Sequence, residues 1–383
     1  MKKPTPRPVN TREITDLTVC RAFLAGWVFL YHVDLYAQFA HYLGPFAGLV
    51  RRGYLGVDGF FILSGLILPR VHPEFIKSPF RGALRFWGKR LARLYPVHLA
   101  TILLLLAVFG AGSAAGMAPR DPGRFGHLAL LQNLLLLQGW GFGPHWTWNY
   151  PSWSISAEWA GYLLFPLLWF AFASFDAFVM VQFVILPIPL LGIMSHLSGH
   201  GLNLTGIDVL PRFFLDFIPG MALSYMVPLV ADFVAPAKLA GLGLALALVG
   251  AACGWDLMTV MGLALALWSL VMNADTERPP VFGPAPVLRW LGQISYSYYM
   301  SFALVELLLA NLFRRQGWAP ADHALLFSIG MTGLTLVLAL ALFTLVERPG
   351  RRLADRWLAL PPPAAPGAIS TVSVPLAGKR KAG

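Results

Sequence analysis

The chain has 383 residues, 57% of them hydrophobic and only 12% charged, with a mean hydropathy of +0.64. An average soluble protein carries about 25% charged residues, so most of this surface must face lipid, which excludes disordered, disulfide-stapled and ordinary cytosolic classes. The net charge of +11 fits basic loops that set membrane topology better than nucleic-acid binding.

A helix needs about 20 apolar residues to cross a bilayer. In chain order, spans are expected at 17–38, 54–69, 94–110, 152–174, 177–195, 210–231, 237–254, 256–273, 288–312 and 323–346. Residues 127–138 form a further, shorter apolar run, and charge decides its status. Lys2, Lys3, Arg7 and Arg12 precede the first span, and Arg348, Arg351, Arg352 and Arg356 follow the last. Both ends are basic, so both belong in the cytoplasm and the number of crossings is even. Ten spans leave 21 Lys and Arg inside and 7 outside when Lys238, Arg289 and Arg212, at span ends, are counted with their nearer loops, and Arg21 lies within the first span. The run 127–138 is therefore expected as an outer-side interfacial or re-entrant helix. The expected fold is all-α: a polytopic protein of about ten transmembrane helices in the inner, cytoplasmic membrane. Its parts are a cytoplasmic segment 1–16, a membrane domain 17–353 and a Pro-rich disordered cytoplasmic tail 354–383. The first span holds His32 and Asp34 and does not read as a cleaved signal peptide. Cys20 and Cys253 both sit in apolar stretches, so neither a disulfide nor a metal framework is implied.

A charged side chain inside a span costs at least about 2.5 kcal/mol on insertion scales, so those present are the first functional clues. Arg21 and His32 share the first span. Their spacing is three turns plus about 20°, which places them on one helix face with about 16 Å of rise between them. Asp58, in the second span, and Glu158, in the fourth, fall near the depth of His32. Three helices thus bring groups suited to proton transfer to one level, although each carboxylate also fits a structural ion pair or a water-cavity lining. Asp34 lies nearer the outer interface, about 200° around the helix from His32. Asp216 and Glu306 are single intramembrane acids with no partner visible in sequence. Arg90 and Arg93, at i and i+3 on a helical start, can face one phosphate-rich ligand and bind it bidentately. Anionic lipid headgroups and topology are the plainer reading of such a loop.

These blocks, taken in order, resemble the integral-membrane acyltransferase-3 family, which includes bacterial polysaccharide O-acetylases. The matching blocks are Arg21 followed by His32, Gly56-Val57-Asp58-Gly59-Phe60-Phe61-Ile62-Leu63-Ser64-Gly65, Arg90-x-x-Arg93 before Leu94-Tyr95-Pro96, and Trp153-Ser154-x-x-x-Glu158 with Phe165-Pro166 downstream. Ile294 to Met300 and Val346-Glu347-Arg348-Pro349 are similar to later family segments, and the resemblance covers about residues 15–353. It implies an acyl-CoA donor from the cytoplasm and a sugar-hydroxyl acceptor on the outer side. It also implies His32 as the essential histidine, Arg21 as its same-face partner, and Arg90 and Arg93 as donor-phosphate residues. One position departs: where the family often has His after Ser-Tyr-Ser-x-Tyr-x-x, this chain has Phe302.

The expected activity is transfer of an acyl group, foremost acetyl, from acyl-CoA to a hydroxyl of a carbohydrate or glycolipid. No permanently bound cofactor, metal or nucleic acid is expected; membrane lipids are the remaining partners. His32 would act as general base or carry the acyl group covalently, with Asp58 or Glu158 orienting its ring as a triad acid does. Ser64 either contacts a substrate or bonds back within its own helix. Trp153 and Ser154, which close the aromatic stretch from Trp140, are the acceptor-side candidates. Two rivals are a transporter or flippase for a polysaccharide precursor, since intramembrane ionisable groups also mark transport pathways, and a nonenzymatic membrane sensor with a degenerate acyltransferase core.

Overall fold

The computed structural model describes residues 15–71, 79–116, 123–143, 146–276 and 278–358. Among these the secondary structure is helical throughout, with no strand. The helices are α1 (Thr15–Ala37), α2 (Ala47–Arg51), α3 (Gly56–Val71), α4 (Pro79–Ala114), α5 (His127–Leu134), α6 (Trp153–Ser174), α7 (Ala177–Ile185), α8 (Pro187–Ser198), α9 (Val209–Val230), α10 (Pro236–Cys253), α11 (Asp256–Asp275), α12 (Pro286–Arg315), α13 (Ala324–Leu342) and α14 (Arg348–Trp357).

Nine helical stretches among the described residues are long and apolar enough to cross a membrane. They correspond to the second through tenth expected spans. The first expected span is α1, whose 23 residues are also long enough but carry Asp16, Arg21 and Asp34. α1 tolerates them because protein surrounds it: it lies against α3, α11, α12 and α13. Only Phe23, Leu30 and Leu35 on this helix are fully exposed. Elsewhere Leu103, Leu167, Leu244, Leu325 and Val337 turn outward, as lipid-facing residues should. The run around 127–138 forms only the eight-residue α5, about 12 Å long and too short to span.

Three boundaries differ from expectation. The third span is the second half of a 36-residue helix, because the basic stretch before it is helical too. Pro96 lies within it without ending it, and Ala83, Phe86, Leu94 and Val97 are buried at helical spacing. At about 54 Å, α4 outreaches the roughly 30 Å hydrocarbon layer. The fifth span divides at Leu186, where Pro187 opens α8; its ring removes a backbone donor, and the cap on α7 comes from Asp176, which accepts from the Val179 N–H. The last span ends in a wide π turn, Phe343–Glu347, that leads into α14. That turn directs Glu347 inward, where it accepts from Ser297 at 2.5 Å and pairs with Arg351. The expected tail thus begins as helix: residues 354–357 complete α14. Residues 359–383 and 1–14 lie outside the described residues.

Close helix approach rests on small side chains. At the α3–α9 crossing, a Cβ on Gly65 would collide with the Phe217 carbonyl, and one on Gly220 would stand 2.5 Å from the Ile62 carbonyl oxygen. This crossing fixes Asp58 and Ser64 against their neighbours.

Candidate active site

α1, α3, α4, α6 and α12 enclose a cavity of about 280 Å³. Six of the nine expected site residues line it: Arg21, Ser64, Arg90, Arg93, Ser154 and Glu158. The long α4 explains the convergence, since it carries Arg90 and Arg93 on one face beside α1. Glu158 Oε1 accepts from Ser64 Oγ at 2.7 Å and from the Tyr162 hydroxyl. Tyr162 in turn presents its ring to the Arg90 guanidinium, 5.5 Å away. Ser64 therefore bonds across to α6 rather than back within its own helix. Neither Arg21 nor Arg93 has a hydrogen bond or ion pair to any described residue. Four arginines, Arg21, Arg70, Arg90 and Arg93, line the chamber beside one carboxylate, Glu158; Arg70 is paired with Asp275, which leaves three guanidinium groups facing one acid. Arginine in a low-dielectric interior needs an anion, so the chemistry of this chamber suits a negatively charged ligand.

His32 lies farther along α1. The helix is unbroken from Arg21 to His32, so the rise of about 16 Å holds. His32 is buried, and Phe302 lies against its ring with centroids 4.7 Å apart. The His32 Nδ1 atom is 2.9 Å from the Tyr150 hydroxyl, which donates to Glu306 Oε2 at 2.7 Å. With Glu306 ionised, Tyr150 gives its one hydrogen to that carboxylate, and its oxygen accepts from Nδ1–H. The lone pair of His32 then resides on Nε2. A small pocket of about 20 Å³, scarcely more than one water, touches His32 and is lined by Tyr31, Tyr150, Trp153 and Trp146 among others. Val57 and Tyr299 wall both this pocket and the arginine chamber.

Asp58 and Glu158 do not touch His32. Asp58 is fully buried and held bidentately by Arg212, with Nε to Oδ1 at 2.9 Å and a second nitrogen to Oδ2 at 2.6 Å. Arg212 also lies over the Trp153 ring at 5.5 Å. Ser154 Oγ is 3.0 Å from both the Pro151 carbonyl oxygen and the Tyr299 hydroxyl. Asp34 accepts from the Ala40 N–H and so caps the turn after α1. Glu306, which has no partner visible in sequence, is the acid nearest His32, with Oε2 3.9 Å from Nδ1. Tyr150 and Arg212 escape the sequence reading. Tyr150 sits in a short 3-10 turn before α6, where it looks like loop. Arg212 was signalled only as a cation near the head of an apolar run. Phe302 and Glu306 are one turn apart on α12, and the residue that departs from the family pattern packs its ring against His32.

The chain is similar to acyltransferases of known name. Acyltransferase MdmB of Streptomyces mycarofaciens is 27% identical over 387 aligned residues, covering 91% of this chain and 94% of that protein. O-acetyltransferase OatA of Staphylococcus aureus is 32% identical over 98 residues, 25% of this chain and 14% of that protein. No solved structure matches the chain. The acyltransferase domain family matches residues 14–344, from the start of α1 past the end of α13 and across both chambers, and the chain belongs to that family as a multi-pass membrane acyltransferase.

Proposed function

We propose that the protein takes an acyl group, foremost acetyl, from cytoplasmic acyl-CoA and transfers it to a carbohydrate hydroxyl on the outer side of the inner membrane. The observation that carries this reading is the pair of cations without a hydrogen-bonded or ion-paired partner among the described residues, Arg21 and Arg93, in a chamber that shares Val57 and Tyr299 with the pocket at His32. Acyl-CoA supplies phosphates for the arginines, and its thioester arm supplies the reach.

The residues then divide the work. Arg21, Arg90 and Arg93 hold phosphate by charge-assisted hydrogen bonds. His32 Nε2 takes the proton of the acceptor hydroxyl; the hydroxyl oxygen bonds to the thioester carbonyl carbon, the C–S bond breaks, and the proton passes to the departing thiolate. General-base action of this kind contributes about 10²–10⁴-fold. Tyr150 and Glu306 keep Nδ1 protonated and stabilise the imidazolium, the part that a triad acid plays. Asp58, sealed by Arg212, and Glu158, bonded to Ser64 and Tyr162, shape the chamber. The same Nε2 lone pair can instead attack the thioester carbonyl, with the C–S bond breaking and CoA leaving as its thiolate, to give an acyl-imidazole that the acceptor hydroxyl then cleaves; single-turnover trapping with labelled acetyl-CoA distinguishes the two courses.

Two variants test the reading together. Arg90→Ala with Arg93→Ala should weaken acetyl-CoA binding at least about tenfold, the scale of one charged hydrogen bond. His32→Gln should bind acetyl-CoA normally while losing at least about 10²-fold in transfer. Near-wild-type turnover in His32→Gln, or unchanged acetyl-CoA affinity in the double variant, would overturn the assignment.

A further inference from the structure

A second large cavity opens at the other end of the bundle, and its volume is about 780 Å³. It lies among the C-terminal ends of α1, α8 and α10 and the N-terminal end of α11. Arg21, toward the start of α1, faces the opposite chamber. Three residues, Tyr31, Tyr54 and Asn203, line both this basin and the small pocket at His32. The basin therefore adjoins the histidine pocket directly.

Its walls are organised. Asp256, itself 5% exposed, accepts from the Tyr54 hydroxyl at 2.6 Å and from the Leu202 N–H at 2.7 Å, and it pairs with Arg52 at 3.3 Å. Asn203 donates to the Tyr31 hydroxyl at 2.9 Å. Around this fixed floor stand groups still able to bind: His196, Arg51 and the indole of Trp255, which is 59% exposed; Ser195 lines the basin beside them. Alternating donors and acceptors, an exposed aromatic plate and a volume within the usual range of ligand sites suit a hydroxyl-rich ring compound. They do not suit a lipid tail. Arg51 adds a positive charge, so neutral or anionic ligands are favoured over cationic ones.

We infer that this basin binds the saccharide portion of the acceptor and delivers one hydroxyl past Tyr31, Tyr54 and Asn203 to His32. The inference rests on the acyl-transfer reading and adds to it the place where the acceptor is held and its route to His32. The pocket at His32 has room for little more than the reacting hydroxyl, so the rest of the acceptor must be held outside it, and the basin is the adjoining space.

The test blocks the basin after folding. Ser195→Cys is made in a Cys20→Ala, Cys253→Ala background, since Cys253 is exposed and would react. The purified protein is labelled with biotin maleimide and reconstituted with a lipid and glycan extract of its native membrane. Radiolabelled acetyl-CoA is added, and label in the glycan is counted. Unlabelled Ser195→Cys protein serves as the folded control. The expected result is at least a tenfold loss of glycan acetylation on labelling, with the Kd for acetyl-CoA unchanged. Label extracted into organic solvent marks a lipid-linked saccharide and label in the aqueous phase a free one; both support the site. Equal acetylation before and after labelling overturns the basin alone. A parent protein that neither binds acetyl-CoA nor acetylates glycan overturns the acyl-transfer reading and the basin with it.

Discussion

Tyr150 has one hydroxyl hydrogen and two neighbours, and giving it to Glu306 is what leaves Nε2 of His32 basic. Tyr150→Phe should therefore lower turnover about 10- to 100-fold, matching the loss of a charge-assisted hydrogen bond of about 1.5–3 kcal/mol, while acetyl-CoA affinity stays the same. Steady-state kcat beside a binding isotherm checks this, and full turnover in the variant would remove Tyr150 from the mechanism. At this scale the sequence was informative in part. Arg21, His32, Arg90 and Arg93 stand out because charge inside lipid is costly, and helix periodicity alone puts the first two on one face. The partners of His32 are not legible in the same way. Depth along a helix says nothing of azimuth between helices, so Asp58 and Glu158 look as eligible as Glu306. Only the fold shows that Arg212 occupies the first, that Ser64 and Tyr162 bind the second, and that Tyr150 connects the third to the imidazole.

Helices are where hydropathy reads best and where its limit shows. Apolar runs mark the lipid-crossing parts, but the basic stretch ahead of residue 94 is helical as well, because charge ends lipid contact without ending a helix. That extension places Arg90 and Arg93 on a rigid rod rather than a loop. The sequence reading runs 177–195 through Pro187 as one span, although the helix breaks there, and the π turn at Phe343–Glu347 leaves no compositional trace. The α3–α9 crossing supplies a test at this scale. Gly65→Val must push α3 away from the Phe217 backbone, an overpacking cost of about 1–3 kcal/mol. The thermal midpoint of the detergent-solubilised protein should fall by several degrees, with Ser64 and Asp58 displaced together and acetyl-CoA binding weakened. A wild-type midpoint would mean that the two helices do not depend on this contact.

For the molecule as a whole, the bias of basic residues predicts that a fusion at residue 120 and one at residue 375 report opposite sides of the membrane, with the second cytoplasmic. Finding both reporters on one side would overturn the ten-span topology. The two ends of the bundle are linked by α1, which runs without a break from Arg21 to His32 and so acts as a gauge rod between them. One inserted residue in that stretch would swing His32 by 100° and slide it about 1.5 Å, away from Tyr150. Seven would bring it back to within about 20° of its direction but lengthen the gap by about 10 Å, a distance that a tethered thioester of fixed length could not follow. Insertions and deletions between these two residues are thus barred by arithmetic, while outward positions on the same helix, such as Phe23 and Leu30, can change their side chains freely as long as they stay apolar.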